Sequence, residues 1–540
     1  MTLKAGFGAA SEAGLCERNG DFFGMVVPGE DLLVSKGITA AIADGVGEIA
    51  GREAAEYAVL SVLSDYYDTP ETWEVTHALG KLFSSTNRWL LSHGATRREF
   101  PTMATTLSLL VLRGARYTIA HVGDTRIYRL RGKDLSLLTR DHVWQGADGR
   151  HVLKRAVGLD LHLVVDYEEG ELKQGDVFLL ASDGVWEALG EERMSGILQD
   201  CPDPEKAASR LVAEALESGS EGNATAQVIR VDEVSKASLL DYLGRDLPAP
   251  PALMRGQRLD GYCVLDLVHE SESRIVYKVK EEATGRILAM KAPKQAEEGF
   301  LVEEWILSRI SSSFVPKIVV PERRHFQYIL SAWQEGSTLL DMMQSGHHFS
   351  FAEVEKIASM LARAVSSLER LGIVHTGISP ENLHMGDDGK LRLLGFGAAC
   401  CPSAGIPGTD LPNDPVATEI HAMGWSLYEI LTGKSPYEDG RADPAPPGKY
   451  RPDVPDWFGN ILVKCVLREP ARRFEMPEEM LVALEAGEKA IVPVQARTPL
   501  AQRNPLATWR FTAAVSIFVN LYLIYLRMLE SIEASSGSPW

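Results

Sequence analysis

At 540 residues the chain is long enough for about two or three domains, and its apolar fraction of 45% is ordinary for folded protein. A formal charge of −19 excludes a polyanionic partner such as nucleic acid, which needs a basic face. The six cysteines, Cys16, Cys201, Cys263, Cys400, Cys401 and Cys465, show no CxxC spacing, which argues against a zinc site and for a reduced compartment.

The N-terminus, MTLKAGFGAASEAG, has no apolar core, so no signal peptide is expected. Ile38 to Ala43 reads as an apolar strand, and Glu53 to Tyr67 has helical apolar spacing. Thr106 to Val111, Tyr117 to Val122 and Arg126 to Leu130 are β-rich, with Arg113-Gly114 as a hairpin turn. A further apolar strand, Val177 to Ala181, precedes a helical pattern over Pro204 to Leu216. Together these predict a sheet core flanked by helices. Leu247-Pro248-Ala249-Pro250-Pro251 then predicts an extended spacer. Beyond it, Gly261 to Lys294 reads as short strands, and helical patterns follow from Val302. Val492 to Pro505 carries three prolines and no helical period, a second linker.

Phe511 to Leu526 is a run of sixteen uncharged residues between Arg510 and Arg527. It is expected to form a single transmembrane anchor, extended by snorkelling arginines. Arg497, Arg503 and Arg510 precede it, while Glu530 and Glu533 follow, which predicts a membrane protein with both domains cytoplasmic. Asn520 favours the alternative, a buried or interfacial helix. The expected organisation is a domain over 1–235, a linker over 236–257, a second domain over 258–488, a linker over 489–509, the anchor over 510–527 and a tail over 528–540.

Chemistry gathers at aspartates in turns. Asp44-Gly45 and Asp183-Gly184 end apolar strands, Asp124 follows Val122-Gly123, and Asp21 closes Glu17-Arg18-Asn19-Gly20-Asp21. One Asp-Gly is usually only a turn; several carboxylates at strand ends can converge on hard cations such as Mg²⁺ or Mn²⁺. The stretches NGDF (19–22), AIADGVGEIAG (41–51), MATTL (103–107), HVGDTRIYRLR (121–131), LTRDH (138–142) and LLASDGVWEAL (179–189) resemble the metal-dependent PP2C-type protein Ser/Thr phosphatases over residues 8 to 233. The resemblance implies a β-sandwich flanked by helices, with two metals, or three, at one end. It makes Asp44, Asp183 and Asp21 the catalytic set. Asp44 would bridge the metals, the Gly45 carbonyl would add a ligand, and Asp183 would hold the second metal. Asp21 would hold metal-bound water, and Asp124 matches a position that serves a third ion. Three departures stand out. Gly222 takes the place of a ligand aspartate in GSEGNATAQVIRV (219–231), Gly20 replaces an acidic residue, and Cys16 stands near the expected phosphate-binding cation, with Arg18 as a nearby candidate. Fewer carboxylates predict weaker metal binding.

VHTGISPENLHM (374–385), followed by Gly395-Phe396-Gly397, resembles the catalytic core of a eukaryotic-type protein kinase, and the resemblance covers residues 259 to about 485. Lys291 in Ala289-Met290-Lys291 matches the nucleotide lysine, Glu303 its helix partner with Glu304 as the alternative, and GWSLYEILTGKSPY (424–437) a large-lobe helix. Arg473 matches a late arginine that pairs with the activation segment. Gly377 replaces the base, Gly395 the metal ligand and Ser379 the catalytic-loop lysine, while His269, Ser271 and Arg274 replace the loop glycines. The losses predict a pseudokinase. Two readings of Lys291 and Glu303 stay open: a weak nucleotide (ATP) site with Asn382, or an ion pair that only bridges the lobes.

The fold class expected is thus multidomain α+β: a PP2C-like sandwich, a two-lobed kinase-like domain and a C-terminal transmembrane helix. The expected function is a membrane-tethered, metal-dependent phosphoprotein phosphatase with a regulatory or recruiting pseudokinase domain. Its partners would be a phosphoprotein or a partner protein, and the membrane. Two alternatives stand beside it, a non-enzymatic adaptor and a bifunctional kinase/phosphatase.

Overall fold

The computed structural model describes residues 3–47, 50–96, 103–145, 151–234, 247–402, 406, 414–437 and 443–489. Its first unit contains β1 (Lys4–Glu12), β2 (Asp21–Val26), β3 (Ile38–Val46), β4 (Ala104–Thr105), β5 (Leu107–Arg113), β6 (Arg116–Val122) and β7 (Arg126–Arg131). These continue with β8 (Asp134–Leu137), β9 (Val143–Gln145), β10 (His151–Leu153), β11 (Asp166–Glu171), β12 (Val177–Ala181) and β13 (Ala224–Glu233). The helices are α1 (Glu30–Ser35), α2 (Ala50–Asp68), α3 (Val75–Thr96), α4 (Asp183–Asp200) and α5 (Pro204–Glu217). Two antiparallel sheets, ordered β1-β13-β12-β7-β8 and β11-β6-β5-β3-β2, form the sandwich.

Alternation along the strands explains why β3 reads as an unbroken apolar run. Ile38, Ala40 and Ile42 enter the inter-sheet core with Leu110, Phe178 and Leu180. Ala41 and Ala43, on the other face, pack under α2 and α3 with Ala54, Ala55 and Leu79. The second sheet is covered in the same way, with Leu179 and Ala181 under Leu211 and Val212 of α5. Strands covered on both faces lose their polar alternation. The same parity sends Asp44, next in the row after Ile42, to the mouth of the sandwich.

The second unit opens with the sheet β14-β15-β16-β17-β19-β18, formed by β14 (Arg258–Leu259), β15 (Tyr262–Glu270), β16 (Arg274–Glu281), β17 (Ile287–Pro293), β18 (Ile318–Val319) and β19 (Ile329–Ala332). Helix α6 (Val302–Ser308) lies between β17 and β18 in the chain. The helical lobe has α7 (Leu339–Gln344), α8 (Phe351–Glu369), α9 (Pro415–Thr432), α10 (Asp456–Cys465) and α11 (Pro477–Ala486), with the small sheet β20 (Gly336–Thr338), β21 (Leu383–Gly386) and β22 (Leu391–Leu393). Helix α8 starts at a capping box, Ser350 with Glu353, and its apolar stripe builds the lobe's core with Leu427, Phe458 and Leu462.

The Pro-rich stretch differs from the expected free spacer. Pro248 accepts a hydrogen bond from the Gln327 amide, Leu253 donates to the Tyr277 hydroxyl, and Leu247 packs beside Phe300 and Leu301. The chain is therefore held on the small lobe before β14 begins.

The expected transmembrane helix and the membrane localisation are corrected. Among the described residues no helix is long and apolar enough to cross a membrane, and Phe511 to Leu526 lies outside them. The long helices spend their apolar faces on the cores just described. Sixteen helical residues also rise only about 24 Å, against a hydrocarbon core of about 30 Å. The fold class stands without its membrane element, and no membrane partner or cytoplasmic placement follows from it.

Candidate active site

Strands β2 and β3 pair in register so that Asp21 lies directly opposite Asp44. Opposed residues share one face, about 5 Å apart at Cβ, and like charges there repel. Asp21 is 2% exposed, and neither of its carboxylate oxygens completes a hydrogen bond. Burial raises Asp21 to about 6, with Asp183 adding to the rise and the Thr225 and Ser182 hydroxyls nearby counteracting it. Asp44 is pushed well above the usual carboxylate range by burial first, then by Asp21, Asp183 and Asp124. Asp124 rises to about 7, again from burial first and Asp183 second. A fold that opposes two carboxylates and leaves both oxygens of the buried Asp21 unsatisfied is suited to a cation.

The backbone around these groups is fixed. Asp44 N–H donates to the Thr106 hydroxyl at 2.8 Å, and its carbonyl accepts from Thr106 N–H and the Thr105 hydroxyl, both at 2.8 Å. The MATTL stretch is thus the clamp on the strand end. Gly45 packs against Gly51 so closely that a Cβ on either would collide with the other's backbone, which presses the start of α2 onto the end of β3. Asp183 opens α4 directly after β12, and Trp186 Nε1 in its first turn holds the Asp124 carbonyl at 3.1 Å.

At Gly222 a Cβ would meet nothing within 4 Å, and the next residue, Asn223, is fully engaged. Its side chain accepts from Gly20 N–H at 2.7 Å and donates to the carbonyls of Ala13 and Arg18 at 2.9 and 3.2 Å. Among the described residues no group of three His, Cys, Asp or Glu side chains is gathered closely enough to hold one metal ion. Cys16 is exposed, with its thiol 3.8 Å from the Glu221 carbonyl. The cation that the structure brings here is Arg52, overlooked in the sequence. Its Nη1 donates to the carbonyls of Asn19 and Asp21, both at 2.9 Å. Its signal was an arginine in the first turn of α2, seven residues after Gly45.

In the second unit Lys291 pairs with Glu303 at 2.6 Å, while Glu304 pairs with Arg324 at 2.6 Å, so the two glutamates have separate partners. Asn382 Nδ2 donates to the Gly377 carbonyl at 2.8 Å. Gly395 has φ 80°, and a Cβ there would collide with the Asn382 side-chain amide. Gly377 is less crowded, its nearest neighbour being Asn382 Nδ2 at 3.6 Å. At the β15–β16 turn, Ser271 hydrogen-bonds the Arg274 backbone and Arg274 pairs with Glu297, so side chains occupy what glycines would leave open. Arg473 holds the carbonyls of Leu467 and Ala417, both at 2.7 Å, and that of Arg468 at 3.2 Å.

A second residue missed in the sequence is Glu419 in α9. It is 3% exposed and accepts the backbone N–H groups of His375 and Thr376; burial raises it to about 7. His375 in turn bonds the Leu394 carbonyl through Nε2 at 2.9 Å, and burial lowers it to about 4, so the ring is neutral. Glu419→Ala is expected to cost about 2–5 kcal/mol in urea unfolding, because two buried N–H groups lose their acceptor.

The family model for protein phosphatase 2C matches residues 19–218, and that for the protein kinase domain matches residues 270–410. A probable protein phosphatase 2C 69 of Arabidopsis thaliana is 30% identical over 266 residues, which are 44% of this chain and 72% of that protein. A probable serine/threonine-protein kinase of Clostridium acetobutylicum is 25% identical over 242 residues, 38% of this chain, and the chain spans only 37% of that relative's length. Among solved structures, PppA, a key regulatory component of T6SS in Pseudomonas aeruginosa, aligns at 26% identity and a TM-score of 0.37, covering 43% of this chain and 99% of that one. The chain belongs to the protein phosphatase 2C family of protein-serine/threonine phosphatases, with a protein kinase domain fused behind the phosphatase domain.

Proposed function

We propose that the chain is a metal-dependent phosphoprotein phosphatase of weakened metal affinity, and that its kinase-like domain recruits or regulates without transferring phosphate. The observation that carries this reading is Asp21, buried with both carboxylate oxygens unsatisfied and directly opposite Asp44. Asp44, the Gly45 carbonyl and Asp183 would hold two Mn²⁺ or Mg²⁺ ions, with Asp21 and Asp124 beside them. Bound cations supply an acidified water and neutralise phosphoryl charge. The chain's own part is positional. Thr105 and Thr106 fix the Asp44 backbone, Asn223 fixes the Gly20–Asp21 turn, and burial keeps bulk water from Asp21. The substrate class that fits is a protein phosphorylated on serine or threonine.

A manganese titration of phosphothreonine-peptide hydrolysis tests the reading. Activity at millimolar Mn²⁺ that disappears in Asp44→Ala supports it. Equal inertness of wild type and variant would sink it and favour the adaptor reading, which the missing carboxylate at Gly222 motivates.

For the kinase-like domain, the crowding at Gly395 supports a site without metal chemistry, and the Lys291–Glu303 pair reads as a lobe-bridging contact. The Gly377→Asp/Gly395→Asp double variant is expected to show no autophosphorylation with labelled ATP. Transfer that appears in wild type and vanishes with Lys291→Met would revive the bifunctional reading.

A further inference from the structure

One surface joins the two domains. The loop Thr69–Trp73, between α2 and α3, rests on three separate parts of the kinase-like domain. Glu71 pairs with Arg309, at the end of α6, at 3.1 Å. Trp73 Nε1 donates to the Arg370 carbonyl, at the end of α8, at 2.9 Å. Cys401 Sγ donates to the Thr72 carbonyl at 3.3 Å. Thr72 is 1% exposed and Cys401 fully buried, so the contact is closed to solvent. From its own domain the loop is braced by buried Lys36, whose ammonium donates to the Thr69 hydroxyl and the Pro70 carbonyl. Val34, one turn away, packs against the helical lobe's core.

The three anchor points belong to the elements that carry the kinase-like site. Helix α6 holds Glu303, the partner of Lys291. Arg370 leads into Val374 and His375, and Cys400 bridges back to Val374. At its other end the same loop continues into α2, whose first turn touches the phosphatase site twice. Gly51 packs on Gly45, and Arg52 holds the carbonyls of Asn19 and Asp21. The 19 residues of α2 form a rod about 28 Å long, seated on the sheet by a fully buried alanine row that includes Ala54, Ala55 and Ala58. Packed interiors are poorly compressible and transmit strain, which a helix seated this way passes along its length.

We propose that Thr69–Trp73 is the docking element through which the kinase-like domain sets the position of α2, and with it the spacing of Asp21 and Asp44. The partner of this surface is the chain's own second domain. A ligand or protein that shifts α6 or the Val374–Cys401 segment would then tune the phosphatase site. The half of this inference that concerns metal affinity rests on the metal-site reading above; the docking itself does not.

Energetic coupling between two sites is reciprocal, so the full chain is tested from both ends. Wild type is compared with Trp73→Ala, Glu71→Arg, Arg309→Glu and the Glu71→Arg/Arg309→Glu double reversal. Mn²⁺ affinity is read by calorimetry, and amide exchange is read at Asp21–Phe23 and at Val374–Cys401. Trp73→Ala and the single reversals are expected to weaken Mn²⁺ binding about fivefold or more. They should also speed exchange at Asp21–Phe23 without metal, and the double reversal should recover most of both. In wild type, Mn²⁺ should slow exchange at Val374–Cys401. Exchange at Asp21–Phe23 needs no metal, so it decides the coupling even if the chain binds no Mn²⁺, a result that would overturn only the metal-site reading. Variants whose Thr72–Trp73 amides exchange faster while Asp21–Phe23 stays unchanged would overturn the proposal.

Discussion

Replacing Gly222 by aspartate is expected to lower the Mn²⁺ concentration for half-maximal hydrolysis by about tenfold to a hundredfold, the scale on which ligand charge and its immediate surroundings tune metal sites. The position tolerates the change: a Cβ there meets nothing within 4 Å, and its φ is not in the left-handed region. Asn223 beside it already ties the segment to Ala13, Arg18 and Gly20, so the new carboxylate would arrive on a fixed backbone. The gain should fall on metal affinity more than on the rate at saturating metal. A Mn²⁺ titration at fixed substrate separates the two. An unchanged half-saturation point would mean that Gly222 does not mark the missing ligand.

The second large effect is expected at Asp44, and it has two opposite faces. Asp44→Asn should reduce hydrolysis by about a thousandfold or more, since the group proposed to bridge both ions loses its charge. In the metal-free protein the same change should stabilise the fold. Folded-state pKa values near 6 for Asp21 and 7 for Asp124, and a raised value for Asp44, lie above the unfolded value near 4. The folded state therefore binds more protons than the unfolded one between pH 4 and 7. Stability from these groups is fully present below pH 4 and is lost as pH rises through 6 to 7. Metal-free wild type should melt at lower temperature at pH 8 than at pH 5, and Asp44→Asn should flatten that slope. Mn²⁺ should reverse its sign, because cations bind the deprotonated carboxylates. Melting curves over pH 5–8, with chelator and with Mn²⁺, read all three; because His121 and His375, lowered to about 4, pull the other way, the deciding result is the difference between proteins, and a slope that Asp44→Asn leaves unchanged would contradict the opposed arrangement.

Much of the candidate site was legible because its aspartates end apolar runs. Ile38 to Ala43 and Val177 to Ala181 are buried on both faces, so Asp44 and Asp183 stand out as the first charges after an uninterrupted strand. Predicted elements lie within a few residues of those observed; the helix expected over Glu53 to Tyr67 runs from Ala50 to Asp68. What stayed hidden depends on partners distant in the chain. Arg52 serves carbonyls more than thirty residues upstream, and Glu419 serves amides 44 residues upstream. Neither use leaves a local pattern. The Pro-rich stretch looked like a spacer because its composition reports stiffness and says nothing of the small lobe that receives it.

Gly222 and Gly395, both proposed to stand where a carboxylate would, also differ in how readily they would accept a side chain. At Gly222 the surroundings have kept the room that a side chain would need, so one substitution can undo the change. At Gly395 the Asn382 amide fills that room and donates to the Gly377 carbonyl. An aspartate at Gly395 must displace an asparagine that fits its neighbours. A side chain at Gly395 therefore needs a second, compensating change at Asn382, whereas one at Gly222 does not.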